Sequence, residues 1–587
     1  MRKRIFTLLP VLLALCAAAR AQVGINQENF PDEAFRNHVA WAFDEDEDWV
    51  LSPEEIAKAT KVDCNSLYVA DLTGIEFFTA LTTLHCHNNQ LAALDLSKNA
   101  RLTTLHCYGN QLTSINVSAC PALAWLACDA NELEQLDLSQ NTRLTRLSCN
   151  GNQLAALDLS KNAALARLDC DGNLLAELDL KGNTALTNLS CRKNRLAALD
   201  LSKNAALASL DCSENRLEAL DLSGNTALTW LYCSGNLLAA LDLSGNTALT
   251  NLAVNANRLE TIDLTKNTRL ETLSCTANPI TALDLTKNTR LAALSCNGNQ
   301  LAELDLSKNS RLQTLYCSAN RLAALDLKSN TALERLDCDS NQLAALDLSK
   351  NVALQTLYCS ANPLAELDLK GNTALTWLSC RNTGLTELDL SKNNRLQTLY
   401  CENNQLQALN VAGRTALTFL KCSGNRLAAL DASGCTALEK LHCSNNSLQA
   451  LSIAGCMALR DLRCFGNQIK GEKMQALVDG LPRRNFGIFC IVNLIDGNEQ
   501  NEIMKTQVDV ATDKGWRVFD WNSTEDDSGK GQEAVGYEGI EPSSVEGIQA
   551  DSIRQNGNWY TIGGVRLPAA PRTKGVYIRE GKKIAVP

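Results

Sequence analysis

Eighteen cysteines recur every 21 residues from Cys86 to Cys464, and only Val254 breaks this cysteine ladder. Regularly spaced thiols can form disulfides, ligate a metal or fill a hydrophobic core. Each ladder cysteine alternates with an inward leucine two residues earlier, as Cys107 does with Leu105. Neighbouring parallel strands point such side chains in the same direction, which suits an S–S bridge poorly. We therefore expect reduced thiols that pack the core.

Three further cysteines replace a repeated asparagine: Cys120, Cys435 and Cys456. Cys435 and Cys456 lie one repeat apart, close enough in a stacked array for a disulfide to stay an open alternative.

The constant period predicts a solenoid, in which each turn is one small unit that packs only on its neighbours. The alternation around Leu105 and Cys107 predicts one short strand per turn, and the stacked turns form a parallel sheet. An asparagine follows the ladder position by three residues in every turn except that of Thr383, and we expect its amide to bond the bending backbone. The remainder of each repeat predicts a second extended segment. Eighteen steps predict a gently curved sheet roughly 85 Å long.

Ten aromatic residues within 81–467 all stand three before, one before or one after a ladder position. These positions face solvent on the concave side of the predicted sheet, so we expect none of the ten in the core. Exposed strand positions favour aromatics in any sheet, but crowding from Tyr316 to Phe419 favours a binding interface. The candidate partner-binding residues are Tyr108, Trp125, Trp230, Tyr232, Tyr316, Tyr358, Trp377, Tyr400 and Phe419; the tenth aromatic is Phe465.

Other polar clusters on this face favour surface roles over catalysis. Three histidines in the first two turns predict a polar patch, because a flat sheet splays them apart for metal ligation: His85, His87 and His106. Farther along, acidic and basic side chains mix, which favours partner steering over paired catalytic carboxylates. These are Asp129, Asp169, Asp171 and Asp211 with Arg146, Arg167 and Arg192. No nucleophile elbow, zinc-protease helix or phosphate loop is present, so we predict that the protein is not an enzyme.

Residues 22–63 predict a helical cap over the first turn, and an acidic segment within it resembles an EF-hand calcium loop. The ligand spacings are filled by Asp44, Asp46, Asp48, the Val50 carbonyl, Ser52 and Glu55. The resemblance implies a bound calcium ion, and no other cofactor is expected. Trp49 stands where the sharp-turn glycine belongs, so an acidic turn without metal is the alternative.

The repeat L-x-x-L-x-C-x-x-N-x-L, as at residues 102–112, resembles the leucine-rich repeats of bacterial internalins. The cysteine-bearing 21-residue form is similar to the internalin J type over residues 64–467, about two-thirds of the chain. The resemblance implies an α/β-type solenoid, mostly β. It would be an arc of about 19 turns with a parallel sheet, a helical N-terminal cap and an α/β C-terminal cap.

The two ends of the chain predict export. Residues 1–21 are typical of a signal peptide cleaved before Gln22; lipoprotein processing at Cys16 is disfavoured by the bulky Leu15. Residues 468–522 predict the α/β cap, 523–545 a linker and 546–587 a β tail. The tail resembles the C-terminal sorting tails of Bacteroidetes surface proteins such as those of Porphyromonas. This resemblance implies type IX secretion and attachment to the outer surface of a Gram-negative bacterium, with a small β domain as the alternative.

Composition narrows the classes of partner that we expect the chain to bind. The net charge is −10 without a basic stripe, which argues against nucleic acid and anionic membranes, and no other apolar run could span a bilayer. We therefore expect a monomeric, secreted, cell-surface adhesin that binds a host or bacterial surface protein and supports attachment, biofilm formation and virulence. Two alternatives stay open: carbohydrate capture on the stacked aromatics, or a passive surface or matrix protein without a specific partner.

Overall fold

The computed structural model describes residues 22–494, 499–521, 535–540, 559–561, 575–579 and 582–586. The predicted signal peptide with both cleavage alternatives, and most of the predicted linker, lie outside these residues. The chain divides into two compact units, Met1–Leu291 and Ala292–Pro587, which are described in turn. Together they hold a β-solenoid of about 19 parallel-strand turns, which confirms the predicted fold class.

The first unit opens with a helix–loop–helix cap. Its helices and two short strands are α1 Glu33–Phe43, α2 Pro53–Lys58, β1 Val23–Gly24 and β2 Val50–Leu51, the strands pairing antiparallel. Asp32 caps α1 by accepting the Phe35 N–H at 2.9 Å. The fully buried Phe30 lies 5.9 Å from Phe35 of α1 and 6.4 Å from Phe78 of the following loop, ring to ring. The cap therefore covers the apolar end of the first turn.

The sheet of the first unit consists of three-residue parallel strands, one for each turn. The strands are β3 Lys61–Asp63, β4 Thr83–His85, β5 Thr104–His106, β6 Trp125–Ala127, β7 Arg146–Ser148, β8 Arg167–Asp169, β9 Asn188–Ser190, β10 Ser209–Asp211, β11 Trp230–Tyr232, β12 Asn251–Ala253 and β13 Thr272–Ser274. A 3-10 turn, Ile75–Phe77, precedes β4. The register shift is one repeat, so that Leu210 lies opposite Leu231. Equivalent side chains therefore form columns along the sheet.

The second unit continues the same pattern. Its strands are β14 Ala293–Ser295, β15 Thr314–Tyr316, β16 Arg335–Asp337, β17 Thr356–Tyr358, β18 Trp377–Ser379, β19 Thr398–Tyr400, β20 Phe419–Lys421, β21 Ala429–Asp431, β22 Lys440–His442, β23 Ala450–Ser452 and β24 Asp461–Arg463. All except β21 and β23 belong to one parallel sheet.

The second unit ends in an α/β cap. Its helices are α3 Gly471–Gly480 and α4 Lys505–Asp513; β25 Gly487–Val492 and β26 Trp516–Asp520 extend the parallel sheet. β27 Val535–Gly536 then pairs antiparallel with β26, a pairing that the linker-like composition of 523–545 does not indicate. In the tail, β28 Trp559–Thr561, β29 Gly575–Arg579 and β30 Lys582–Val586 pair antiparallel. Among the described residues, no helix is long and apolar enough to cross a membrane.

The cysteine ladder is a column of buried, free thiols, as predicted. Burial raises the pKa of these thiols, for example that of Cys275 to about 12, so they stay protonated and unreactive. Cys435 and Cys456 are also free. The Cys435 Sγ donates to the Val411 carbonyl at 3.0 Å and the Cys456 Sγ to that of Ala432 at 3.1 Å, so the open disulfide alternative is not realised.

Two columns of buried asparagines tie each turn to the one before it. The asparagine three residues after the ladder position behaves as predicted: Asn110 Nδ2 donates to the carbonyls of Cys107 (2.9 Å) and Cys86 (3.1 Å), while its Oδ1 accepts the Leu91 N–H. The second asparagine also donates to two carbonyls, at the next bend, but its buried Oδ1 has no hydrogen-bond partner among the described residues. Asn204 is fully buried, and its Nδ2 donates to the carbonyls of Asn183 (2.9 Å) and Leu180 (3.1 Å). The first column thus gives donors to buried carbonyls, whereas the Leu180 and Asn183 carbonyls also accept the backbone N–H groups of Asn183 and Leu186.

The predicted second extended segment forms a strand in only part of the array. β21 and β23 pair with each other, and isolated bridges join Asp95 to Asn116 and Asn410 to Asp431. Elsewhere this segment carries no strand in the described turns, because it bends at once: Asp158 Oδ1 accepts the Ser160 N–H at 2.9 Å. Among the described turns, the second segment is therefore paired as a strand only at β21 and β23.

Candidate binding surface

Three columns of side chains stand on one face of the sheet in each unit, which we call the outer sheet face. They lie three before, one before and one after the ladder position, as Trp230, Tyr232 and Ser234 do around Cys233. The parallel register aligns them from turn to turn, so Ser209 lies opposite Trp230. The inward positions are leucine and cysteine in almost every turn, whereas these columns vary.

Aromatic rings make one continuous contact along the outer sheet face of the second unit. The rings of Tyr358, Trp377, Tyr400, Phe419 and His442 form this aromatic strip across five neighbouring strands, with consecutive centroids 6.1, 5.5, 5.1 and 5.2 Å apart. Their planes are tilted or perpendicular to one another, which is the favoured geometry for aromatic pairs. Four of the predicted partner-binding residues are thus brought together.

Polar groups along the aromatic strip are incompletely satisfied. The Trp377 Nε1 and the Glu402 Oε2 are buried and have no hydrogen-bond partner among the described residues. Glu402 lies 3.1 Å from the Lys421 ammonium, and burial nevertheless raises the pKa of its carboxyl. The Arg381 guanidinium lies 5.7 Å from the Tyr400 ring centroid. Both unsatisfied atoms are shielded from solvent, beside rings that are only partly exposed.

His442 was not identified from the sequence, although it stands one before a ladder position. Only 13% of its side chain is exposed, and its Nε2 lies 3.2 Å from Asp461, which in turn pairs with Arg463 at 3.0 Å. Burial lowers the pKa of His442 and outweighs the opposing effect of Asp461, so the imidazole is neutral at pH 7. His442 therefore extends the strip as an aromatic ring.

Tyr316 stands apart from the strip. The strand that carries Asp337 lies between Tyr316 and Tyr358, and the described residues show no ring contact of Tyr316 with the others. Burial raises the pKa of Asp339, on the same turn, to about 6, and the nearby Asp337 adds to this effect. An acidic pair thus separates this predicted residue from the strip.

The first unit carries two further aromatic groups. Near the cap, rings stack between turns: His85 on His106 at 4.5 Å and His87 on Tyr108 at 4.2 Å, with Trp125 edge-on to His106 at 4.4 Å. The histidines thus stack with neighbouring rings. Trp230 and Tyr232 form a separate pair, 6.1 Å apart. The predicted partner-binding residues are therefore divided among three groups and the isolated Tyr316.

The structure corrects the predicted exposure of Phe465. The repeat period places it on the outer sheet face, where we expected all ten aromatics to be exposed, but only 8% of it is exposed. It packs with Cys490 and Phe519 of the C-terminal cap, and the Trp521 ring stacks on it at 5.4 Å. The cap strands extend the sheet past the last repeat, and their side chains cover the final turn.

The acidic loop of the N-terminal cap brings three predicted calcium ligands together. One carboxylate oxygen from each of Asp44, Asp46 and Asp48 lies within 4.8 Å of the others, the only such acid, histidine or cysteine group in the described part of the chain. Trp49 adopts φ +63°, the left-handed conformation that the glycine of a calcium loop provides. Burial, with repulsion from Asp48, raises the pKa of Asp46. The loop geometry thus forms despite the tryptophan.

The remaining predicted ligands lie at the start of α2. Ser52 caps this helix, and Glu55 closes a capping box by accepting the Ser52 N–H at 2.7 Å. The other Glu55 oxygen accepts the Glu45 N–H at 2.7 Å, while Val50 lies in β2. Glu55 therefore spans the loop from its first turn to its exit helix, but both of its oxygens are bonded to the protein.

Comparisons with known proteins identify relatives of the repeat array. No protein-family model matches the chain. Internalin J of Listeria monocytogenes serotype 4b (strain F2365) is 44% identical over 70 residues, which cover 12% of this chain and 8% of that protein. The chain thus matches only a small part of this curated relative.

Solved structures extend the match. The functional domain of Internalin J from Listeria monocytogenes, which includes a cysteine ladder, is 33% identical with a TM-score of 0.53. The alignment covers 72% of this chain and 83% of that domain. The leucine-rich-repeat ectodomain of the receptor kinase GASSHO1/SCHENGEN3 from Arabidopsis thaliana is 23% identical with a TM-score of 0.59, over 71% of this chain and 57% of that one. The second likeness concerns the fold alone.

Proposed function

This chain belongs to the internalin-like leucine-rich-repeat proteins, and we propose that it is a cell-surface adhesin that binds a protein through its aromatic strip. The partner would be a protein on a host or bacterial surface, and binding would support attachment and biofilm growth. The observation that carries the proposal is the unbroken ring contact from Tyr358 to His442 on the outer sheet face.

The chemistry of the strip suits a protein partner. Tyrosine and tryptophan are enriched among residues that dominate protein interfaces, because they bury much apolar area with few rotatable bonds. The partly exposed strip offers this area. Charged groups beside it, such as Arg381 and Lys440, can steer an approaching protein.

A structural relative and the predicted signals at the two ends of the chain support the proposal of a secreted binding protein. The GASSHO1/SCHENGEN3 ectodomain was solved in complex with Casparian strip integrity factor 2, so this fold can present a ligand-binding surface. The predicted signal peptide and sorting tail support secretion to the outer surface of a Gram-negative cell.

Because the strip combines rings with no nucleophile and base in contact, we infer a binding role without catalysis.

The test replaces the centre of the strip. In a Tyr358→Ala/Trp377→Ala/Tyr400→Ala variant, we expect attachment of the purified protein to host or bacterial cells to weaken at least about tenfold, because loss of interface anchors costs about 2 kcal/mol or more. Attachment is measured by cell-binding isotherms, and thermal unfolding reports the fold. Protease treatment of the target cells should abolish the strip-dependent binding, that is, the difference between the unmodified protein and this variant.

The matched control is Trp230→Ala/Tyr232→Ala, which removes the exposed aromatic pair of the first unit. This variant should bind as tightly as the unmodified chain. Equal attachment by the strip variant and the unmodified chain would contradict the proposed interface. Strip-dependent attachment that survives protease but is lost on glycan removal would contradict the protein partner.

We also propose that the N-terminal cap binds one calcium ion. The support is the clustering of Asp44, Asp46 and Asp48 together with the left-handed Trp49. Calcium takes six to eight oxygen ligands, so Glu55 would have to exchange a protein hydrogen bond for the ion. Calcium would neutralise the crowded carboxylates and hold the loop between α1 and α2, which stabilises the covered end of the solenoid.

Calorimetric titration of the full chain with calcium tests this site. At a free calcium concentration ten times Kd, binding should stabilise the folded cap by about 1.4 kcal/mol. Asp46→Asn/Asp48→Asn should abolish the heat of binding, whereas Glu28→Gln, an exposed acid of the same cap, should leave it unchanged. No heat with the unmodified chain, or equal heat with both variants, would contradict the site.

A further inference from the structure

A cleft of about 910 Å³ opens on the outer sheet face of the first unit, across strands β5 to β9. The central column is small here, because Ala127 and Ser148 follow His106, and this leaves the space. Trp125 and Arg146 line the side three before the ladder, and Asp129 lines the side one after it. The volume falls within the range of about 300–1,000 Å³ that is typical of small-molecule sites.

Trp125 and Arg146 form one recognition surface in the cleft. The Arg146 guanidinium lies 5.3 Å from the Trp125 ring centroid, and 38% of Trp125 is exposed. Arg146 has no carboxylate partner among the described residues, whereas the neighbouring Arg167 pairs with Asp169 at 2.6 Å. Burial lowers the pKa of His106, with His85 adding to the effect, so this ring contributes no charge at pH 7. Arg146 is therefore the cation left free to bind an anion.

The opposite side of the cleft offers fixed hydrogen-bonding groups. The Asp129 Oδ1 accepts the Ser148 hydroxyl at 2.5 Å and the Asn150 N–H at 2.9 Å, which holds the carboxylate in place. At the far end, Asn188 Oδ1 accepts the Thr187 hydroxyl at 2.9 Å, which leaves its amide N–H groups free to donate. Acceptors and donors thus face a space that a ring-stacking ligand would fill.

We propose that this cleft binds an acidic saccharide. The sugar carboxylate would pair with the Arg146 guanidinium, and an apolar C–H face of the ring would pack against the exposed part of Trp125. The hydroxyl groups would donate to Asp129. An acidic peptide side chain fits less well, because it presents only acceptors beside Asp129, whereas a polyol carries donors next to its carboxylate. The site is separate from the aromatic strip and does not depend on it.

The experiment titrates the full chain with oligosaccharides that end in a uronic or sialic acid. The same oligosaccharides with the carboxylate reduced to an alcohol serve as the neutral probes. We expect the acidic probes to bind at least about tenfold more tightly, with the difference shrinking as salt rises. Trp125→Ala and Arg146→Ala should each weaken binding at least about tenfold, and Arg146→Lys should restore only part of it, because an ammonium cannot pair bidentately.

Two variants are matched controls, because they occupy the same column outside the cleft: Trp230→Ala and Arg335→Ala. Both should bind the acidic probes as the unmodified chain does. Arg146 is exposed, so its removal leaves thermal unfolding unchanged and keeps the test valid even if Trp125→Ala loosens the fold. Equal affinity for acidic and neutral probes, unchanged binding by Arg146→Ala, or binding of an acidic peptide but of no saccharide would each overturn the proposal.

Discussion

The two faces of the same short strands obey different rules. On the inner face, Leu378 and Cys380 are fully buried and repeat in nearly every turn, with Val254 as the one substitution in the ladder. On the outer face, Trp377 and Ser379 of the same turn have counterparts that change from strand to strand. The inner face therefore sets the fold and its register, and the outer face is free to carry recognition.

The outer face itself shows a second contrast. The aromatic strip of the second unit is a contiguous set of rings, whereas Trp230 and Tyr232 of the first unit form an isolated pair. Both groups occupy the same columns, so position on the sheet does not distinguish them. Contiguity does, because interface energy concentrates in clustered anchors.

The largest effect expected from breaking the inner face is at the asparagine column. Asn110→Ala removes the amide that donates to the Cys86 and Cys107 carbonyls and accepts the Leu91 N–H, which should lower the free energy of unfolding by about 3 kcal/mol. Asn251→Ala, on the outer face, should change it by less than about 0.5 kcal/mol. Urea denaturation measures the free energy of unfolding of both variants. Similar losses of this free energy in the two variants would contradict the distinction between the two faces.

The cysteine ladder offers a sharper test of the same distinction. Cys212→Ser places a hydroxyl in a fully buried site and should cost about 2 kcal/mol, whereas Cys212→Val mimics Val254 and should stay within about 1 kcal/mol. Thermal unfolding of the two variants gives the comparison. If serine were tolerated as well as valine, the ladder would not be a packed apolar column.

The smallest effect is expected on the outer face at Asp339, and its sign depends on pH. Burial raises the pKa of Asp339 in the folded state to about 6, above its usual 3.8 when unfolded, so its charge destabilises the fold at pH 7. The raised pKa corresponds to a destabilisation of about 3 kcal/mol at most. Solvent screening reduces this destabilisation to about 1–2 kcal/mol.

Asp339→Asn should therefore stabilise the protein at pH 7. The gain should shrink as the pH falls through 6 and disappear below 3.8, where aspartate is neutral in both states. The amide oxygen of the variant side chain would still accept the Ser360 N–H that Asp339 now accepts at 2.5 Å. A gain of the same size at pH 4 would show that charge is not the cause. Denaturation of the variant and of the unmodified chain at pH 7 and at pH 4 distinguishes these two outcomes.

The fold was largely predictable because the period carries it. The 21-residue spacing predicted the parallel strands, the inward cysteines and the bonding role of Asn110, and all are observed. One repeated feature was not predicted from the sequence. The residue two after the ladder position has positive φ, as at Gly109 (+65°) and Ala130 (+50°). Glycine, alanine and asparagine alternate there, so no single residue type signalled the left-handed bend.

The binding surface was less predictable, because side-chain contacts between turns depend on neighbours in two columns. The sequence placed Tyr358, Trp377 and Tyr400 on one face but did not show that His442 extends their contact. Nor did it show that the cap covers Phe465, since that burial comes from residues outside the repeat period. The cleft beside Trp125 had a readable signal, namely the small Ala127 and Ser148 in its central column.

Oxidative footprinting of the chain, free and bound to target cells, tests the central claim most directly. We expect Tyr358, Trp377, Tyr400 and Phe419 to lose reactivity on binding, while Trp230 and Tyr232 keep theirs. Protection of Trp230 and Tyr232 with an unprotected strip would contradict it.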